Sequence, residues 1–183
     1  MTPDPGGYAA SALSGPLLLV LAAFGCLIPP LFIRALRGIQ GLIALCAVLV
    51  SIIFFKQAPP AELSLFSGAL LLSPLTAYLW ILALVVLALV IILSIASPPA
   101  PEESTGEYYF LAFMAVTGLM TLVAAGDLFT AFIALELLSL PMYALAGIRR
   151  SKPGLEAAYK YFMLGAFGSG MTVIVMFASI LAA

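Results

Sequence analysis

Histidine is absent from the sequence, cysteine occurs twice, and only seven basic and eight acidic side chains are spread over 183 residues. Each scarcity excludes something. There is no histidine to ligate a haem, no cysteine array to hold an iron–sulfur cluster, and no glycine-rich dinucleotide fingerprint behind a strand. The chain itself is therefore expected to carry no redox cofactor and no metal. Cys26 and Cys46 stand in separate apolar stretches without a neighbouring ligand, which reads as two small buried hydrophobes and reveals nothing of a redox compartment. A net charge of -1 with so few Lys and Arg offers no basic patch for nucleic acid. Because the first basic residue is Arg34, the positive n-region of a cleavable signal peptide is missing, and the first apolar segment is expected to be retained.

What the chain has instead is hydrocarbon. With 64% hydrophobic residues and a mean hydropathy of +1.24, it reads as an integral membrane protein. Six apolar segments lie between charged or Pro/Gly-rich breaks, at about 16–33, 39–55, 74–96, 108–126, 128–148 and 158–182. The expected fold is all-α and polytopic, one transmembrane domain over 1–183 with about six membrane helices. Pro16 and Pro74 fit first-turn positions, with Ser14 and Ser73 as caps. "STGE", residues 104–107, fits a capping box opening the fourth helix, which makes Glu107 structural. Asp127 is placed to cap the fifth helix, and Glu102 and Glu103 read as solvated loop charges.

Basic residues set the orientation. Arg34, Arg37, Arg149, Arg150, Lys152 and Lys160 fall at one end of the segments and Lys56 alone at the other. Positive charge is retained in the cytoplasm, so both chain ends are expected on the outer, periplasmic side. Phe54–Phe55, Tyr108–Phe110 and Tyr159–Phe162 lie at segment ends, as interfacial aromatic belts do.

One residue resists this bland account. Glu136 is the single charge in the 21-residue stretch 128–148, near mid-depth of a helix about 30 Å long. An ionisable group there costs at least about 2.5 kcal/mol and marks a functional site by default. "RRSKPG", 149–154, makes a short turn, so helices five and six should form an antiparallel hairpin. Reflecting Glu136 through a midpoint near 152–153 lands near Ser169, in the small-residue stretch "GAFGSG" where two backbones can come close. Lys160 lies nine residues nearer the cytoplasm, too far for a direct ion pair, and Glu156 sits four residues before it at the spacing of a local pair. Pro141 withholds an N–H from the carbonyl of Leu137, the neighbour of Glu136, leaving an acceptor for water or a polar side chain. Glu136 is thus either a proton-exchanging carboxylate or a protonated group locking two helices through Ser139, Ser169 or Thr172.

The stretch "GDLFTAFIALELLSLPMYALAGIRRSKPGLEAAYKYFMLGAFGSGM", 126–171, closely resembles the fifth and sixth helices of subunit N of bacterial proton-pumping NADH:quinone oxidoreductase, respiratory complex I. "LFSGALLLSP", 65–74, resembles the segment ahead of the third helix, with Ser73 or Pro74 where an aspartate is often found. The resemblance implies a multi-pass subunit of the inner (plasma) membrane, placed between similar membrane-arm subunits and contributing to proton translocation. It implies that Glu136 pairs electrostatically with a lysine of the seventh helix, and that Lys160 matches the lysine of a "KYF" motif with no firm role. NADH, flavin, iron–sulfur clusters and quinone would then belong elsewhere in the complex.

Family members contain two inverted repeats, so these residues are expected to be less than half of one. They would be a fragment, a truncated product or one part of a split subunit, with another segment or chain supplying the lysine. Two other readings stay open: a subunit of a multi-subunit cation/proton antiporter, and a helical membrane scaffold without catalysis.

Overall fold

A computed structural model of the chain describes residues 5–27, 39–57, 63–99, 101 and 104–182. Among the described residues, six helices follow one another: α1 (Pro5–Leu27), α2 (Gln40–Gln57), α3 (Pro74–Ala96), α4 (Thr105–Ala124), α5 (Leu128–Ala146) and α6 (Lys152–Ala182). Each covers most of one expected apolar segment, because next to lipid a helix is the local way to satisfy every backbone N–H and C=O. Among the described residues, α3, α4, α5 and Lys152–Ser179 of α6 are long and apolar enough to cross a membrane, whereas Pro16–Leu27 and Gln40–Ile53 form shorter apolar helices. Arg34, Arg37, Glu102 and Glu103, and the side chains of Phe54, Phe55 and Lys56, lie outside the described residues.

Several helix ends differ from expectation. Pro16 and Ser14 lie inside α1 and not in its first turn. Ser73 behaves as foreseen: its Oγ accepts the Thr76 N–H at 3.2 Å, with Pro74 opening α3. The capping box at Ser104 does not form. Ser104 occupies the N-cap of α4 with φ -103° and ψ 10°, outside the extended region from which a hydroxyl reaches the helix amides, and its side chain makes no cap bond. Glu107 turns instead to Arg150 in the α5–α6 turn, at 3.5 Å. Arg149 Nε donates to the Pro99 carbonyl at 2.7 Å, so the turns 97–104 and 147–151 are tied together at one end of the bundle.

α4 is the hub. It packs most extensively against α5 and also meets α1, α2 and α3. Its buried face includes Ala112, Ala115, Gly118 and Ala124, small enough to bring neighbouring backbones close, with Phe113 and Met120 filling the spaces between. Buried hydroxyls are answered inside the protein: Thr117 donates to the Phe113 carbonyl at 2.9 Å, and Ser94 to the Ile91 carbonyl at 2.7 Å. Two polar ties cross the α3–α4 interface: Trp80 donates its indole N–H to the Met120 carbonyl at 2.7 Å, and the Ser94 and Tyr109 hydroxyls share a hydrogen bond at 3.0 Å. Cys26 is buried in this core; Cys46 is not, and sits on the outward face of α2.

A purely α-helical expectation needs one correction. Leu63–Leu65 (β1) and Leu70–Leu72 (β2) pair antiparallel, Leu63 opposite Leu72 and Leu65 opposite Leu70. Phe66, Ser67 and Gly68 turn the chain with φ of 51°, 57° and 97°. The hairpin docks on the α4–α5 junction, where the Gly126 N–H donates to the Ala69 carbonyl at 2.9 Å and Leu70 bridges Ala125. Glycine is required at 126 because a Cβ there would press into the Gly68 carbonyl oxygen and lie 2.9 Å from Leu71 Cγ. Gly126→Ala should therefore destabilise the fold by about 1–3 kcal/mol. Thermal unfolding in detergent, compared with Gly25→Ala where a Cβ meets nothing within 4 Å, checks this; equal melting temperatures would contradict it.

Candidate functional site

α5 begins on Asp127, whose Oδ1 accepts the Thr130 N–H and whose Oδ2 accepts the Thr130 hydroxyl, both at 2.8 Å. These bonds, the backbone one foremost, hold its carboxyl below the usual aspartate range. Asp127 is a helix cap, as its position in the sequence suggested.

One helical face further along, Glu136 is half-buried between α5 and α6. Its Oε1 accepts a hydrogen bond from the Ser169 hydroxyl. Of the three partners open to it, the other two are engaged with their own helices: Ser139 donates to the Leu135 carbonyl and Thr172 to the Gly168 carbonyl, the latter at 3.0 Å. The structure thus brings together the two residues that reflection through the turn had paired.

The route is not quite the expected one, because α6 begins at Lys152, six residues before the anticipated start at 158. Its early helical turn runs alongside the loop rather than forming it. The register is nonetheless that of a midpoint near 152–153, since Gly147 faces Ala158 and Glu136 faces Ser169. Lys160 is consequently level with Leu145 in the last turn of α5. It pairs with Glu156 at 2.5 Å, both side chains well exposed, and makes no bond to Glu136. Among the described residues no Lys or Arg forms an ion pair with Glu136.

Two neighbours of the site carried no signal in the sequence. Tyr143, nearly two turns along α5, stands edge-on to Tyr161 and Phe162 with ring centroids 4.7 and 5.8 Å away. Its hydroxyl lies over Gly165, where any Cβ would collide with it. On the opposite flank Gly118 of α4 lies directly against the backbone of Leu137 and Leu138. A tyrosine and a glycine in apolar runs look like packing, and only the helix register gives them a place at Glu136.

What can this arrangement do? A carboxyl group takes one hydrogen bond from Ser169 through Oε1, leaving Oε2 for a proton or a cation. Pro141 is buried and has no N–H for the Leu137 carbonyl, so an acceptor lies one residue away. No residue in the spanning window of α6 is buried in the chain, so the helix bearing Ser169 offers its remaining surface to lipid or to other helices.

Residues 125–182 match the model of the NADH:quinone oxidoreductase/Mrp antiporter transmembrane family. NADH-quinone oxidoreductase subunit N of Azorhizobium caulinodans is 33% identical over 162 residues, covering 85% of this chain and 33% of that protein. The chain is a relative of NADH-quinone oxidoreductase subunit N. Subunit N 1 of Koribacter versatilis is 34% identical over 139 residues, 75% of this chain and 27% of its own length. Subunit N of Francisella tularensis is 44% identical over 103 residues, 54% of this chain and 21% of its own. The chain therefore spans a third or less of the subunit N proteins it matches, and the antiporter-like match holds Asp127, Glu136, Lys160 and Ser169.

The Asp127 cap makes a pH prediction. A carboxyl whose folded pKa is depressed stabilises the fold fully above its unfolded value, about 3.9, and loses that contribution as pH falls through the folded value. The melting temperature of the wild type should drop relative to Asp127→Asn, which caps without titrating, only below about pH 4. A gap between the two that stays constant from about pH 7 to 3 would rule this out.

Proposed function

We propose that this chain is part of a membrane-arm subunit of NADH:quinone oxidoreductase and contributes to proton translocation, with Glu136 as the proton-path carboxylate. The observation that carries the reading is a half-buried carboxylate in mid-helix, bonded to a hydroxyl across the α5–α6 hairpin, inside the stretch matched by the antiporter-like family. An acid at that depth without a cation of its own among the described residues is suited to gaining and losing a proton. Ser169 holds one oxygen fixed by donating its hydroxyl, and the second oxygen exchanges the proton. A lysine from a further helix, in the remainder of the subunit or in another chain, supplies the opposing charge and sets when the proton leaves.

In this reading the six helices all cross the inner (plasma) membrane, with both ends of the described chain on the periplasmic side. The tied turns with Arg149 and Arg150 then face the cytoplasm. Lys160, held by Glu156 level with the end of α5, sits at the membrane interface and is a secondary site residue at most. Redox cofactors and quinone chemistry belong to other subunits of the complex, which with the bilayer are the partners.

Two alternatives have support of their own. The family model covers Mrp antiporters as well, so a cation/proton antiporter subunit fits the same residues. The Ser169–Glu136 bond also fits a scaffold in which a protonated Glu136 locks two helices. Glu136→Gln keeps size and hydrogen bonding but cannot titrate. In the assembled complex, proton pumping should fall at least about tenfold while assembly survives. Unchanged pumping would favour the scaffold, and co-purification with antiporter subunits instead of a quinone reductase would favour the antiporter.

A further inference from the structure

We propose that Gly118 is a positioning residue for Glu136: its missing side chain lets α4 bear on the proline-weakened turn of α5 and so sets the Glu136–Ser169 contact. The effect on pumping rests on the reading of Glu136 given above; the effect on the contact does not. Gly118 is buried on the face of α4 turned toward α5. A Cβ built there would press on the Leu138 amide nitrogen, 2.7 Å from the Leu137 carbonyl carbon and 2.9 Å from Leu138 Cα. All three atoms are backbone, so no side chain can swing aside.

Restoring ordinary van der Waals contact requires α4 and α5 to part by about 1 Å. The helix turn that must give way is the weak one, because Pro141 supplies no N–H to the Leu137 carbonyl. Leu137 adjoins Glu136, so the displacement passes directly to the carboxylate, and a shift of this size is enough to lose or re-aim a hydrogen bond. Gly25, Gly168 and Gly170 have nothing within 4 Å of a Cβ position, and Gly106, the other glycine of α4, would meet backbone only at the Cys26 carbonyl of α1, away from α5. Gly165 meets only the Tyr143 side chain, which can rotate.

Apart from Asp127, the cap at the far end of α5, the titratable groups on α5 and on the elements packed against it lie toward the basic end. They are Glu107, Tyr108 and Tyr109 on α4, Tyr143 on α5 itself, and Lys152, Glu156, Tyr159, Lys160 and Tyr161 on α6. None of them hydrogen-bonds Glu136; Ser169 is its partner on α6. A change at Gly118 therefore reaches the carboxylate through position rather than through a new charge.

Dicyclohexylcarbodiimide tests this. It adds to a protonated carboxyl in an apolar setting and leaves an N-acylurea on Glu136, quantified by peptide mass as a function of pH in the natively purified membrane assembly. Ser169→Ala should change the extent of labelling at a given pH by about twofold or more, and Gly118→Val and the milder Gly118→Ala should also change it by a measurable fraction of that. Gly25→Ala should keep the wild-type profile. If both Gly118 variants label like wild type while Ser169→Ala does not, or if Ser169→Ala leaves the profile unchanged, the proposal is wrong. Where Gly118→Val fails to assemble, Gly118→Ala decides by the same criterion. Normal pumping by Glu136→Gln would remove the translocation reading and leave the labelling result to judge Gly118 by itself. Lost pumping with an unmoved Gly118 profile would do the reverse.

Discussion

Inside a bilayer a polar group has no water to turn to, and the core of this structure is arranged around that constraint. Lipid surrounds a helix as comfortably as another helix does, so apolar surface alone gives little reason for helices to associate. What brings α4 and its neighbours together is close backbone approach over Ala and Gly, supplemented by a few hydrogen bonds that lipid cannot provide. The Trp80–Met120 tie, the Ser94–Tyr109 pair, the self-satisfied Thr117 hydroxyl and the Gly126 N–H given to the hairpin are all answers to the same demand. The answer is incomplete at two groups: Gln40 Oε1 is buried without a partner among the described residues, and Glu136 is answered through one oxygen, by Ser169.

The features legible in the sequence were those with a local chemical cause. Ser73 and Asp127 announce helix starts because a hydroxyl or carboxylate accepts an amide three residues on, and both do so. The pairing of Glu136 with Ser169 could be read because a short turn and a run of small residues fix an antiparallel register. Ser104 shows the limit: the residues of a capping box are present, but Arg150, distant in sequence, attracts Glu107 and the reciprocal bonds are not made.

Less visible were features whose cause lies in another element. The β-hairpin at 63–72 escapes because strand alternation is read from polar and apolar positions, and a Leu-rich segment beside a membrane hardly alternates. Its turn does carry a trace, the Ser-Gly pair at 67–68. Gly118 and Tyr143 gave no sign at all, since which face of α4 meets α5 is decided by three-dimensional packing. Helix starts at 105 and 152 in place of 108 and 158, and a first helix already formed before 16, have a related origin. Polar and proline residues that interrupt hydropathy do not interrupt a helix.

The unequal lengths of the last two helices have a mechanical consequence. α5, with 19 residues, is about 28 Å long, close to the hydrocarbon thickness, and is pinned at its start by the Asp127 cap and the docked hairpin. α6, with 31 residues, is about 46 Å long and packs chiefly against α5. Where the bilayer is thinner or thicker than α5, the helix with length to spare is α6, and it adjusts by tilting. A tilt of α6 changes the angle at which it meets α5, so bilayer thickness bears on how closely the two helices pack around the Ser169–Glu136 hydrogen bond.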